Sequence, residues 1–212
     1  MRRFCLLAVV SLFASSSLGQ DWSGNTYKYY EIYPGYIISP SGDTSHGYVE
    51  HGNRSSMQKQ VIFYSDASKK ERKKFKPADL KGYGVADKNY RFVEFGGGSF
   101  SKPASFVLVS KPGRITGYYY YTTKDGIGIQ GKNETAAQFD ERTHTDEILW
   151  QRLDGKVIQH QTLILGFAKK FSALMDDHPE LSSKISGKEK GYGLTNVFSI
   201  VDEYNSWWAN KK

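Results

Sequence analysis

Residues 35–50 read GYIISPSGDTSHGYVE, and this stretch decides the fold class. Two short runs, Gly35 to Ser39 and Thr44 to Glu50, flank Ser41-Gly42-Asp43. The glycine supplies the backbone freedom that a tight turn needs, so the segment is predicted to be a β-hairpin. A connection this short joins antiparallel strands, because parallel neighbours need a crossover of about a dozen residues. The same rhythm extends in both directions. An aromatic, partly alternating run from Tyr27 to Tyr33 precedes the hairpin, and a polar loop, His51 to Ser56, leads to QVIFY at 60–64. After a basic run and a turn at Pro77 to Leu80, Gly82–Val85 and Tyr90–Phe95 read as a second hairpin. Gly96-Gly97-Gly98 is a flexible break, since glycine loses the most backbone entropy on ordering. ASFVLVS at 104–110, ITGYYYYT at 115–122 and Ile127 to Gln130 continue the strand pattern, with turns at Lys111 to Arg114 and Lys124 to Gly126.

Towards the C-terminus the period changes. Glu147 to Leu153 reads equally as strand or short helix, and Val157 to His160 follows it. Leu163, Phe167, Phe171, Leu174 and Met175 then recur at helical spacing, predicting a helix to Asp176. His178-Pro179 stops it and opens a short further turn through Ile185. Asn196 to Trp208 is the last helix, with Val197, Ile200, Val201, Tyr204, Trp207 and Trp208 mostly on one side. The fold class is therefore α+β: an antiparallel β-sheet, or a partly closed β-sandwich or barrel, with two C-terminal helices. Residues 20–212 form one domain, mainly β over 20–160 and mainly helical over 161–212.

Ahead of it, residues 1–19 carry the three parts of a secretory leader. Arg2 and Arg3 precede an apolar run from Phe4 to Ala14, and the small residues SSSLG end before Gln20, the expected cleavage point. The run is too short to span a bilayer, and no later segment has the length and apolarity to do so. The single cysteine, Cys5, lies inside this leader. The exported domain then has no disulfide, no thiolate nucleophile and no cysteine metal ligand. At this length it can bury about 70% of its unfolded surface without such staples.

Net charge is +7, and the basic residues cluster. Lys69, Lys70, Arg72, Lys73, Lys74 and Lys76 fall within eight positions. Such a run can meet an anionic glycan or a lipid headgroup; its plainer role is a solvated hairpin tip or a strand edge guarded by lysines. Export argues against a nucleic-acid partner. The chain holds 15 Tyr, 12 Phe and 4 Trp. Exposed rings stack on sugars or anchor protein contacts. Tyr118, Tyr119, Tyr120 and Tyr121 are thus ligand-binding candidates, and Trp207 and Trp208 partner-binding candidates, although Tyr also suits a half-buried sheet.

Catalytic signals are sparse. There is no HExxH, no GxSxG, no phosphate loop and no calcium loop. His46, His51 and Asp43 lie near one hairpin end, but their spacing defines no metal site. The densest acid-plus-imidazole segment runs from Gln138 to Glu147. Within it Asp140, His144 and Glu147 are the candidate catalytic residues, against the plainer reading of a charged connecting segment. No cofactor or metal is expected.

PGYIISPSGDTSHGYVE at 34–50, QVIFY at 60–64 and FKPADLKGYGV at 75–85 resemble, in that order, a group of uncharacterised signal-bearing proteins of Bacteroidota. FSALMDDHPELSSKI at 171–185 and VDEYNSWW at 201–208 are similar to the same group's closing helical region. Asp177-His178 stands where those proteins often carry a cysteine. The resemblance implies export in a Gram-negative cell, to the periplasm or cell surface, and carries no catalytic residue. The leading expectation is a non-enzymatic binding module for a glycan, a lipid headgroup or an envelope protein. The alternatives are a hydrolase of envelope polymers working through Asp140, His144 and Glu147, and a structural or assembly protein docking through Trp207 and Trp208.

Overall fold

A computed structural model of the chain describes residues 27–95, 102–124, 128–153 and 155–211. The predicted leader at 1–19 and the glycine run at 96–98 lie outside these residues. The quoted hairpin forms β1 (Ile32–Ile38) and β2 (Thr44–Glu50), in register from Ile38 opposite Thr44 to Ile32 opposite Glu50. Gly42 takes φ +105°, the left-handed region in which glycine pays no side-chain penalty. The aromatic run before it is not a separate strand. Tyr30 sits at φ +65° and ends it, and a single β1 passes through Pro34-Gly35. Its Pro34 is exposed.

Eight further strands follow: β3 (Val61–Tyr64), β4 (Arg72–Phe75), β5 (Gly82–Val85), β6 (Lys88–Val93), β7 (Ser105–Lys111), β8 (Ile115–Thr123), β9 (His144–Arg152) and β10 (Ile158–Gln159). All described pairings are antiparallel, in the order β10-β9-β8-β7-β6-β5-β1-β2-β3-β4. The chain therefore returns from the β4 edge to add β5 beside β1. β4 and β10 remain as the two ends of the order, and no pairing among the described residues closes the sheet. No strand covers residues 128–130, where the sequence pattern predicts one.

Pairing register assigns the strand residues to two faces. One, the inner face, carries Val49, Val61, Phe63, Tyr83, Val85, Tyr90, Phe106, Leu108 and Tyr121 in a single buried cluster. The helix between β2 and β3 packs on β7 and β8 although several strands separate these pairs in the sheet, so the sheet curls around this core. The plug is α1 (Arg54–Lys59), capped by the Asn53 side chain, which accepts from Ser56 N at 2.8 Å. The expected polar loop at 51–56 thus opens a helix, too short to show a period. Gln58 from it donates to Tyr121 O and accepts from Tyr121 N, and Tyr83 donates its hydroxyl proton to Met57 O at 2.7 Å.

Further along the same face, Ile115 and Trp150 receive the C-terminal helices: α3 (Phe167–Ser172), α4 (Pro179–Ser186) and α5 (Val197–Asn210). There are three, not two. The predicted helix from Leu163 is broken by Gly166 at φ +88°, with a 3-10 turn at His160–Leu163 before it. Phe171, Met175, Leu181, Ile185, Val197, Ile200, Val201 and Tyr204 are buried there. Each large apolar side chain among them contributes about 1.5–3 kcal/mol by leaving water. The remaining helix, α2 (Ala136–Thr143), runs directly into β9.

On the opposite, outer face a smaller cluster of Val93, Val107, Val109, Tyr118 and Leu149 covers β6 to β9. Over β1, β2 and β5 the outer face lies bare. Pro34, Thr44 and His46 are exposed there, and Tyr36, Ile38 and Tyr48 are only half-buried.

Candidate functional site

The charged segment around residue 140 is split by this architecture. Thr135 and Gln138 form a capping box that starts α2, and its last turn carries Asp140 into the inner core. Asp140 Oδ2 accepts from Arg54 Nη1 at 3.0 Å and from the Tyr29 hydroxyl at 2.9 Å, and the carboxylate also takes the Arg54 backbone N–H. His144 Nδ1 lies 3.2 Å from Oδ1. Asp140 thus ties α2, α1 and the segment before β1 together. Glu147 alternates to the outer face, opposite Tyr120, where Lys102 donates to it at 2.6 Å. The sheet therefore separates Glu147 from the Asp140–His144 pair, and the three share no cleft.

His51 lies beside this knot, 1% exposed, with Tyr27, Tyr29 and Tyr33 within about 6 Å between ring centres. Burial, aided by the nearby Lys88 ammonium, pulls its imidazole down to about 4. His46 projects instead from the exposed outer face, next to Tyr36. No group of three or more His, Cys, Asp or Glu able to hold a metal occurs among the described residues.

The four consecutive tyrosines alternate as a strand requires. Tyr119 and Tyr121 turn to the inner core, and Tyr118 and Tyr120 to the outer cluster. Tyr118 and Tyr121 are buried, so the four form no common surface. Trp207 stacks on His178 with ring centres 4.2 Å apart, and the Arg114 guanidinium sits over Trp208 at 4.5 Å. The basic run becomes the sheet's terminal strand, with Lys69, Lys70, Arg72, Lys73 and Lys74 all exposed. Arg72 pairs with Tyr64 and Lys74 with Ile62, which puts both on the outer face, while Lys73 faces the other way.

That outer face holds the most developed surface arrangement. β5 reads Gly82-Tyr83-Gly84-Val85, with both glycines on the outer side and Tyr83 inside. A Cβ on Gly84 would lie 2.3 Å from the Tyr36 ring, so the ring rests on bare backbone. At Gly82 the space for a Cβ is taken by the Tyr90 carbonyl, 2.4 Å away, and the Arg91 stem passes beside it, its Cδ at 3.4 Å. Tyr36 donates its hydroxyl proton to Asn89 Oδ1 at 2.6 Å. Partial burial raises the Tyr36 hydroxyl above its ordinary value and the Arg91 charge draws it back, so the two groups sense each other. Tyr48 stands one residue pair further along β2, between Pro34 and Tyr64. Arg72, Lys74 and Arg91 make no ion pair among the described residues. Sequence reasoning passed over Tyr36, Asn89 and Arg91. The signal was the two glycines spaced by two in a strand, which mark close approach on one face.

No family model, curated protein or solved structure matches the chain.

Proposed function

We propose that the chain is a non-enzymatic binding module of the cell envelope that takes an acidic polysaccharide on the outer face of β1, β2 and β5. The observation that carries this reading is the Tyr36 ring laid over Gly84, with the Arg91 side chain beside Gly82 next to it. A tyrosine ring with its hydroxyl pinned offers a preset stacking surface for the apolar face of a sugar. The adjoining guanidinium matches a carboxylate or sulfate with two parallel hydrogen bonds. Tyr48 extends the stacking row, and Arg72 and Lys74 carry positive charge to the sheet's end on the same side. The basic run and the tyrosine content thereby serve one surface, although the tyrosines are not the four consecutive ones. The leader expected at 1–19 and the resemblance to uncharacterised signal-bearing proteins favour a place in the periplasm or at the cell surface. No helix among the described residues is long and apolar enough to cross a membrane.

The test is titration of residues 20–212, which keep every described element, with polygalacturonate and with neutral dextran. Saturable binding to the acidic polymer, lost on Arg91→Gln with an unchanged melting temperature, supports the reading. Equal binding by wild type and Arg91→Gln, or binding abolished only by salt and equally by any lysine change, overturns it.

A further inference from the structure

A second surface, independent of the first and on the helical side of the sheet, is built for a different medium. Leu163 is fully buried, and the chain then turns outward through Ile164 and Leu165, which are 68% and 81% exposed, before Gly166 reverses it into α3. Single exposed aliphatics are ordinary on a protein surface; two adjacent ones at the crest of a turn are not. Behind them Phe167, Tyr192 and Leu194 line a shallow groove of about 360 Å³ that continues the apolar surface. Its only charged lining residue is Lys188. Lys170 donates to Thr162 O at 2.6 Å, which fixes an ammonium at the base of the turn. Residues 155–175 include Lys156, Lys169 and Lys170 and not one Asp or Glu.

We infer that the Ile164–Leu165 turn is a docking tip for an anionic lipid bilayer. The protruding shape selects the occupant. A convex pair of aliphatic side chains needs a cavity in any rigid partner, whereas a bilayer yields around it. The lysines behind the tip are then left at headgroup depth, where each adds attraction to anionic lipid. Aliphatic insertion and headgroup attraction act together, so removal of either weakens attachment.

Sedimentation with extruded vesicles tests this, using residues 20–212 so that the apolar leader cannot insert. The probes are phosphatidylcholine vesicles with and without about one-third phosphatidylglycerol. The expected result is binding to the anionic vesicles at least about tenfold stronger than to the neutral ones, reduced at least about tenfold by Leu165→Asp. At 81% exposure that substitution leaves the melting temperature unchanged. Lys170→Glu gives a smaller loss of the same sign. No binding to anionic vesicles, or undiminished binding by Leu165→Asp, overturns the inference. A wild-type dimer that Leu165→Asp dissociates also overturns it, since a second copy would then be the occupant. Polygalacturonate binding by Leu165→Asp stays at the wild-type level, which separates this result from any failure on the outer face.

Discussion

The two faces of the sheet treat polar side chains in opposite ways. Beside α1 the inner face encloses its charge: Arg54 and Asp140, 5% and 3% exposed, meet at 3.0 Å and are shut in by α1 and Tyr29. On the outer face over β1, β2 and β5 the rings and guanidinium groups are held in place yet left facing solvent. Enclosed charge ties distant segments of chain together. Charge laid on bare glycine backbone does little for the fold and remains available to a ligand. Changes to the inner face should therefore cost stability, and changes to the outer face should cost binding.

The largest effect expected is from Asp140→Ala. It leaves the Arg54 guanidinium buried without its carboxylate and releases the Tyr29 hydroxyl, at a cost of about 3–5 kcal/mol by denaturant unfolding. A loss below about 1 kcal/mol would show the knot to be dispensable and would weaken the contrast between the faces.

Acid comes next. The folded-state imidazole of His51 titrates near 4, below the ordinary value near 6.5. Between those values the unfolded chain binds a proton that the folded chain refuses. The contribution is thus full above about pH 6.5 and is lost progressively as the pH falls towards 4, amounting to about 3 kcal/mol by linkage. Thermal melts across that window, compared with His51→Gln, should show this slope flattened in the variant.

Gly84→Ala sharpens the contrast from the other side. Its Cβ would collide with the Tyr36 ring at 2.3 Å, so the ring must lift. The stability cost is about 1–3 kcal/mol, and polysaccharide affinity should fall with it, because the stacking surface is no longer preset. Arg91→Gln, on an exposed position with its partner yet to arrive, should alter stability by no more than about 0.5 kcal/mol.

How much of this was legible in the sequence follows from the range of each interaction. The Gly35–Glu50 hairpin, the Gly82–Phe95 hairpin and the final helix rest on turn residues and periods within about a dozen positions, and all three formed, although the first strand starts earlier, at Ile32, and the predicted Tyr90–Phe95 strand lies at Lys88–Val93. α1 and α2 span six and eight residues, less than a readable period, and their caps at Asn53 and at Thr135–Gln138 emerge only in the structure. The break at Gly166 was hidden because Leu163 and Phe167 keep helical spacing across it. The candidate residues fared according to long-range pairing. Nothing local indicates that Asp140 meets Arg54, 86 positions away, or that Glu147 turns to the other face. Tyr36 and Arg91 become neighbours only because β5 lies between β1 and β6, a placement that the return from β4 creates.

The central claim is that the outer face is a polyanion-binding surface, and calorimetric titration of polygalacturonate into wild type, Tyr36→Ala and Arg91→Gln tests it most directly. The account predicts saturable binding by wild type, a loss of about tenfold or more in each variant, and cooperative unfolding retained in both. Wild-type affinity in both variants, or no heat with any protein at low salt, would contradict it.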